Sequence, residues 1–429
     1  MFNKQELSFD EGWKIVDAAG ENRGTILSDD GRTAKMSDLR KYAITKRIIR
    51  SIDLKDKKTY KVTVSFSASH LCSVLHVYAI LSFYNEKSEW TRRCYFDRPS
   101  EGLFEKSFTV NGEVRAELEL GLKTTGEVIW QVPVVEEREP IEKRVVKIAA
   151  VQINPGNGKI TYEQNLRRIE KGFDKAADMG ADVVCFAETI NDRGVGGYSC
   201  YAEKFEPLDG SFVTFMKRKT SERKIFAFFT FHELDKDGVK RNTAILMDRN
   251  GVIAGRYFKS HITIGEYEDG MLPGDEYPVF DTEIGRIGML VCWDAYFPET
   301  ARAMALKGAE LLLISTAGNP THFHIARAME NGVYVAVACA ASQPDNGIYP
   351  TKIISPSGKI IAEAKSDGDI AFAEVDLNKE ENTYIYWLSV GPAYTDPHNI
   401  YQNEFRPEMY PRVTARSDRR CCQKKQRGI

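Results

Sequence analysis

The hydrophobic pattern of this chain changes period once, and the change divides it into two unlike halves. Up to about Val135, apolar residues fall at every second position. Tyr60, Val62, Val64, Phe66 and Ala68 alternate with Lys61, Thr63, Ser65 and Ser67, the period of a strand with one buried face. Val114, Ala116, Leu118, Leu120 and Leu122 repeat the pattern against Arg115, Glu117 and Glu119, and the run from Leu75 to Phe83 does likewise. Several such strands with polar turns between them predict an all-β, jelly-roll-like sandwich over residues 1–140. The stretch from Glu136 to Arg144 is charged, contains Pro140 and lacks periodicity, so it reads as a linker.

Beyond residue 145 strand and helix patterns alternate. Val145 to Gln152 is an apolar strand. Leu166, Ile169, Phe173, Ala176 and Ala177 share one helical face, closed by Gly180. Asp182 to Ala187 is a continuous run, as in a strand covered on both faces. Further strands are expected at Ile225–Phe231, Asn242–Asp248, Arg286–Cys292, Glu310–Ile314 and Tyr334–Ala338. Helices are expected around Phe212–Glu222, Pro298–Lys307 and His322–Asn331. This half is therefore α/β.

Composition narrows the class. A chain of 429 residues with 42% hydrophobic content can bury more than one core. A formal charge of -2 leaves no footprint for nucleic acid or an anionic membrane. No segment approaches the roughly 20 apolar residues of a membrane span, and the opening Met1 to Glu6 has no apolar signal core. The eight cysteines form no CxxC pair, which argues against a zinc ribbon or a disulfide framework and for a reducing, cytoplasmic setting. No metal and no cofactor is expected. Residues 411–429 are basic and read as a flexible tail.

Three apolar runs each deliver one reactive group at their end: Phe186-Ala187-Glu188, Tyr257-Phe258-Lys259 and Leu290-Val291-Cys292. A carboxylate, an ammonium and a thiol are the parts of a base, an oxyanion stabiliser and a nucleophile. Burial at a strand tip is expected to raise the pKa of Glu188, and the helix start after Cys292 to favour its thiolate. Each residue also has a plain structural reading: a strand-capping acid, a solvated lysine, a buried cysteine. A cysteine–histidine pair would instead use His261, His322 or His324. His322 and His324 alone lack the further ligands of a metal site.

In these residues the chain resembles the nitrilase superfamily of carbon–nitrogen hydrolases. The likeness runs over residues 145–410, through Lys147 to Gln152, Phe186-Ala187-Glu188, Tyr257 to His261, Pro273-Gly274, Ile287 to Asp294 with Phe297-Pro298-Glu299, Gly308-Ala309-Glu310 and Arg327 to Gly332. It implies a nitrilase-type αββα sandwich that pairs as a homodimer. Glu188 would be base, Lys259 oxyanion lysine and Cys292 nucleophile, with the Trp293 backbone N–H as a second oxyanion donor. It also implies a second glutamate, Glu266 in preference to Glu268, and an internal Arg327–Glu330 pair. Arg193, Tyr198 and Asn319 are candidates for substrate contact. The implied reaction is hydrolysis of a small amide or N-carbamoyl amine through a thioester. A nitrilase, a thioester-based N-acyltransferase and a non-catalytic scaffold on an inherited fold are the alternatives. The first half resembles galactose-binding-like, carbohydrate-binding modules, with Trp90, Tyr95 and Trp130 as a candidate glycan platform.

Overall fold

Alternating residues of the first half build two antiparallel sheets. One runs in the order Lys4–Glu6, Val134–Arg138, Thr59–Ser69, Gly126–Gln131, Thr33–Asp38 and Thr25–Leu27, with Leu103–Thr109 also paired to Thr59–Ser69. The other contains Trp13–Asp17, Lys46–Asp53, Arg115–Leu122, Val77–Tyr84 and Trp90–Tyr95. Their inner faces share one core that includes Val62, Val64, Phe83, Phe104, Leu118, Leu120 and Trp130. Trp130 and Tyr95 are buried, and only Trp90 of the three platform aromatics is exposed. The linker is shorter than its composition suggests. Val134–Arg138 is a strand paired with Thr59–Ser69; Val135 is buried in the core, and Glu137 pairs with Lys58.

The computed structural model describes residues 3–17, 24–38, 45–71, 76–155, 158–196, 205–340, 351–379, 382–383, 393–395, 398 and 410. The expected basic tail, 411–429, lies outside them. The chain divides into two compact units, with the boundary between Pro140 and Ile141. Among the described residues no helix is long and apolar enough to cross a membrane.

The second unit holds two six-stranded sheets. The first runs Ile253–Phe258, Lys240–Met247, Phe226–Leu234, Val183–Cys185, Val145–Val151 and Ile370–Asp376. The second runs Val279–Thr282, Gly285–Val291, Leu311–Thr316, Tyr334–Cys339, Lys352–Ile354 and Ile360–Glu363. Three strands in each are parallel neighbours, which accounts for their unbroken apolar runs. One face of the first sheet (Ile148, Cys185, Phe228, Leu246) shares a core with the second (Met289, Leu313, Val335, Ile353). Its other face (Val151, Val184, Phe229) packs against Ile169 and Phe173 of the helix Tyr162–Asp178 and Phe212 and Met216 of the helix Ser211–Arg223. Helices Pro298–Leu306 and Thr321–Met329 pack on the second sheet.

The strand expected to reach Ala187 ends at Cys185. Phe186 still donates its N–H to Phe228, but its carbonyl accepts from the Ser315 hydroxyl of the other sheet. The chain thus leaves the ladder two residues before Glu188.

Candidate active site

Three strand ends converge, two from the first sheet and one from the second. Cys292 directly follows Gly285–Val291 and opens a short 3-10 turn, Cys292–Tyr296. Its φ is +45°, a left-handed conformation that costs a non-glycine residue about 1–2 kcal/mol. Glu188 is followed by Thr189, also at φ +45°. Both chains therefore turn sharply where the reactive side chain sits.

Lys259 is almost fully buried. Its Nζ lies 3.0 Å from Glu188 Oε1 and 2.8 Å from each oxygen of Glu266. The structure thus brings Glu266 to the lysine and leaves Glu268 on the surface. The reason is a helix start. Thr263 caps Ile264–Glu268 and exchanges hydrogen bonds with Glu266 three residues on, the capping-box arrangement. Thr263-x-x-Glu266 is a spacing visible in the chain, and it would have separated the two acids.

Sequence reasoning missed Asn242. It is buried at the start of Lys240–Met247, and its Nδ2 donates to Glu188 Oε1 at 3.0 Å and Glu266 Oε1 at 2.8 Å. One amide thus spans both carboxylates. The strand Lys240–Met247 opens with four polar residues, so no local signal singled it out.

The second oxygen of Glu188 accepts from Arg193 at 3.3 Å and from the Ala317 N–H at 3.2 Å. Arg193 also donates to the Glu188 carbonyl at 2.9 Å, so its guanidinium is turned on the acid. The Cys292 thiol lies close enough to Glu188, Lys259, Thr316 and the Ala317 N–H to interact with each. Asn319 Nδ2 is 3.9 Å from the Cys292 sulfur. Trp293 is partly exposed beside Tyr296 and Phe297. Tyr198 lies outside the described residues.

Electrostatics reverse two simple expectations. Burial pushes the Glu188 carboxyl up, but the Lys259 and Arg193 cations outweigh it and hold the group at about 2. Burial pushes the Cys292 thiol up, the neighbouring Glu188 charge adds to this, and the group stands at about 11 despite Lys259. Burial alone would lower Lys259, yet Glu188, Cys292 and Glu266 keep its ammonium well above the ordinary lysine range. The resting site therefore holds Cys292 as a thiol, Glu188 as a carboxylate and Lys259 as an ammonium. A helix start cannot offset desolvation of sulfur beside an acid.

His261 Nδ1 faces Asp294 at 3.1 Å, and His324 is buried, with its pKa pushed down to about 3 by desolvation and by Lys352. Arg327 pairs with Glu330 and donates to the Ala295 carbonyl at 3.1 Å. Among the described residues no group of three or more His, Cys, Asp or Glu side chains is arranged to hold a metal ion.

The family model described as carbon-nitrogen hydrolase matches residues 147–384, more than half of the chain. The chain belongs to the carbon–nitrogen hydrolase family. The hydrolase is 30% identical to an omega-amidase of Xenopus laevis over 233 residues, covering 50% of this chain and 83% of that protein. It is 28% identical to an N-carbamoylputrescine amidase of Solanum lycopersicum over 304 residues, covering 63% and 95%. Its fold is similar to that of a carbon-nitrogen hydrolase from Helicobacter pylori, with a TM-score of 0.51, 20% identity and coverage of 63% of this chain and 99% of that one. The chain is thus an enzyme of the class that hydrolyses carbon–nitrogen bonds, and its named relatives include amidases.

Proposed function

We propose that this hydrolase cleaves the C–N bond of a small amide or N-carbamoyl amine through a thioester on Cys292. The observation that carries the reading is the shared contact of Lys259 Nζ with Glu188 and Glu266, with the Cys292 thiol beside Glu188. The relatives named as amidases support it.

In this reading the Cys292 sulfur attacks the substrate carbonyl carbon as its proton passes to Glu188. Proton transfer alone is uphill in the resting site, because the Cys292 thiol is held above its ordinary range and the Glu188 carboxyl below its own. Concerted attack removes the difficulty. Negative charge leaves sulfur and appears on the carbonyl oxygen, where the Lys259 ammonium and the Trp293 N–H stabilise it. Glu188 then gives its proton to the leaving nitrogen as the C–N bond breaks, which leaves the thioester and frees an amine or ammonia. Water adds to the thioester carbon, passing a proton to Glu188. The C–S bond breaks, the sulfur regains its proton from Glu188, and the acid departs. Glu266 and Asn242 act by holding Lys259 and Glu188 in place.

Arg193 and Asn319 stand at the edge of this site, and we assign Asn319 to the substrate side of the sulfur. The finer architecture, an αββα sandwich paired as a symmetric homodimer, belongs to the same reading. Light scattering on the purified chain tests the pairing.

The decisive measurement is ammonia release from a panel of amides, carbamoyl amines and nitriles. An acyl adduct on Cys292, seen by mass spectrometry with a slow amide at low pH, is the expected result. Cys292→Ala should lose at least about 10⁴-fold in kcat, as for other essential nucleophiles. A Cys292→Ala variant with full amidase activity refutes the reading. Faster loss of amide in the presence of hydroxylamine, with a hydroxamate product, would point to acyl transfer.

A further inference from the structure

Asp294 is fully buried two residues after Cys292. Its Oδ2 accepts from the Tyr257 hydroxyl at 2.8 Å and the Val291 N–H at 3.0 Å. Its Oδ1 accepts from the Ser260 hydroxyl at 3.0 Å and the His261 N–H at 2.9 Å, and His261 Nδ1 lies 3.1 Å away. The His261 ring stacks on Phe297, centroids 3.9 Å apart, and approaches the Thr300 hydroxyl at 3.3 Å. An acid removed from water with every partner supplied by protein is held in one geometry.

Among the described residues, the partners of the Asp294 carboxylate come from two places. Tyr257, Ser260 and His261 flank Lys259 on both sides, at the end of Ile253–Phe258 in the first sheet. Val291 is the last residue of Gly285–Val291 in the second sheet, next to Cys292. One carboxylate thus ties the backbone that carries the ammonium to the backbone that carries the thiol. The Val291 bond also closes the turn in which Cys292 is held at φ +45°, a conformation that needs a restraint to persist.

We propose that Asp294 is a positioning residue that sets the separation and angle between the Cys292 sulfur and the Lys259 ammonium. This rests on the assignment of those two groups as nucleophile and oxyanion donor. Asp294 does not touch the reacting atoms. It acts through the two segments it joins, and an error of about 1 Å in such a pair can cost about 10²-fold in rate.

The test replaces Asp294→Asn, which keeps the volume but turns an N–H₂ group toward donors, and Tyr257→Phe, which removes a single donor. Both are assayed for kcat and KM on whichever amide of the panel the native chain hydrolyses fastest. Thermal midpoint and the rate of Cys292 alkylation by iodoacetamide are measured alongside. Asp294→Asn is expected to lower kcat about 100-fold and slow alkylation, with KM changed less than about threefold. Tyr257→Phe is expected to lower kcat about tenfold with the same split. Native kcat in both folded variants, or a loss of activity that only tracks the unfolded fraction, overturns the proposal. If Asp294→Asn does not fold, Tyr257→Phe decides alone by the same criteria. Cys292→Ala separates the levels: if it stays active, the site assignment itself fails. If it is inactive while Asp294→Asn is native-like, only the positioning role fails.

Discussion

Glu119 and Glu188 are both buried glutamates, one in each unit, and they are held in different ways. Glu119 stands on the strand Arg115–Leu122 and accepts from Tyr78 at 2.8 Å, Arg47 at 3.2 Å and Arg93 at 3.2 Å. Those partners lie on the same sheet, on Val77–Tyr84, Lys46–Asp53 and Trp90–Tyr95. Such a cross-strand cluster is an extension of the pairing register. Glu188 sits beyond its strand, and its partners come from separate pieces of chain: Asn242, Lys259, Arg193 and Ala317. It also interacts with the Cys292 thiol. The first arrangement holds a sheet together, while the second gathers reactive groups that no single sheet could bring together.

The largest effect expected from this contrast is on activity. Glu188→Gln keeps the shape of the acid and removes its proton traffic, so kcat should fall by about 10²–10⁴-fold, the usual yield of general acid–base catalysis. Glu119→Gln should leave kcat within about twofold. Steady-state assays of the two variants on one amide would break the comparison if the order of losses were reversed.

A second expectation concerns pH. Glu188 is held below the ordinary carboxylate range and Cys292 above the ordinary thiol range, so neither titrates near neutral pH. The kcat/KM profile should therefore show no acid limb near pH 6.5 of the kind a cysteine–histidine pair gives. Such a limb, abolished by His261→Gln, would reinstate that pair. The sign for stability follows from linkage. The folded-state pKa of Glu188 is depressed, so its contribution is complete above the ordinary carboxylate range, near 4.5, and is lost as pH falls through about 2. Acid titration of thermal stability should show this decline in the native chain and a weaker one in Glu188→Gln.

The smallest effect belongs to the first unit. Glu119→Gln removes charge from three hydrogen bonds, of which the one to Arg47 reaches solvent. A loss of about 1 kcal/mol in denaturant stability is expected. A much larger loss, with activity unchanged, would sharpen the contrast by making Glu119 a structural keystone of the sheet face.

Several features were legible before any coordinates. Period-two alternation marked the strands around Thr59–Ser69 and Arg115–Leu122, and unbroken apolar runs marked Phe226–Leu234 and Leu311–Thr316. These signals are local, because side-chain direction repeats every two residues in a strand. The Val134–Arg138 strand was hidden by its charge, because three consecutive charged residues, Glu136 to Arg138, break the period-two pattern. The residue types at the site were legible too, and the Thr263–Glu266 spacing could have singled out its second acid.

By itself, the chain determined two unlike halves, the strand ends, and which acid, amine and thiol those ends present. Tertiary structure alone decided their states. Lys259 meets Glu188 across 71 residues, and Asp294 meets Tyr257 across 37. No local pattern encodes a contact at that distance, and it is such contacts that keep Glu188 ionised and Cys292 a thiol. Charge in a buried site depends on the neighbours that folding brings within a few ångströms, and only the folded chain supplies them.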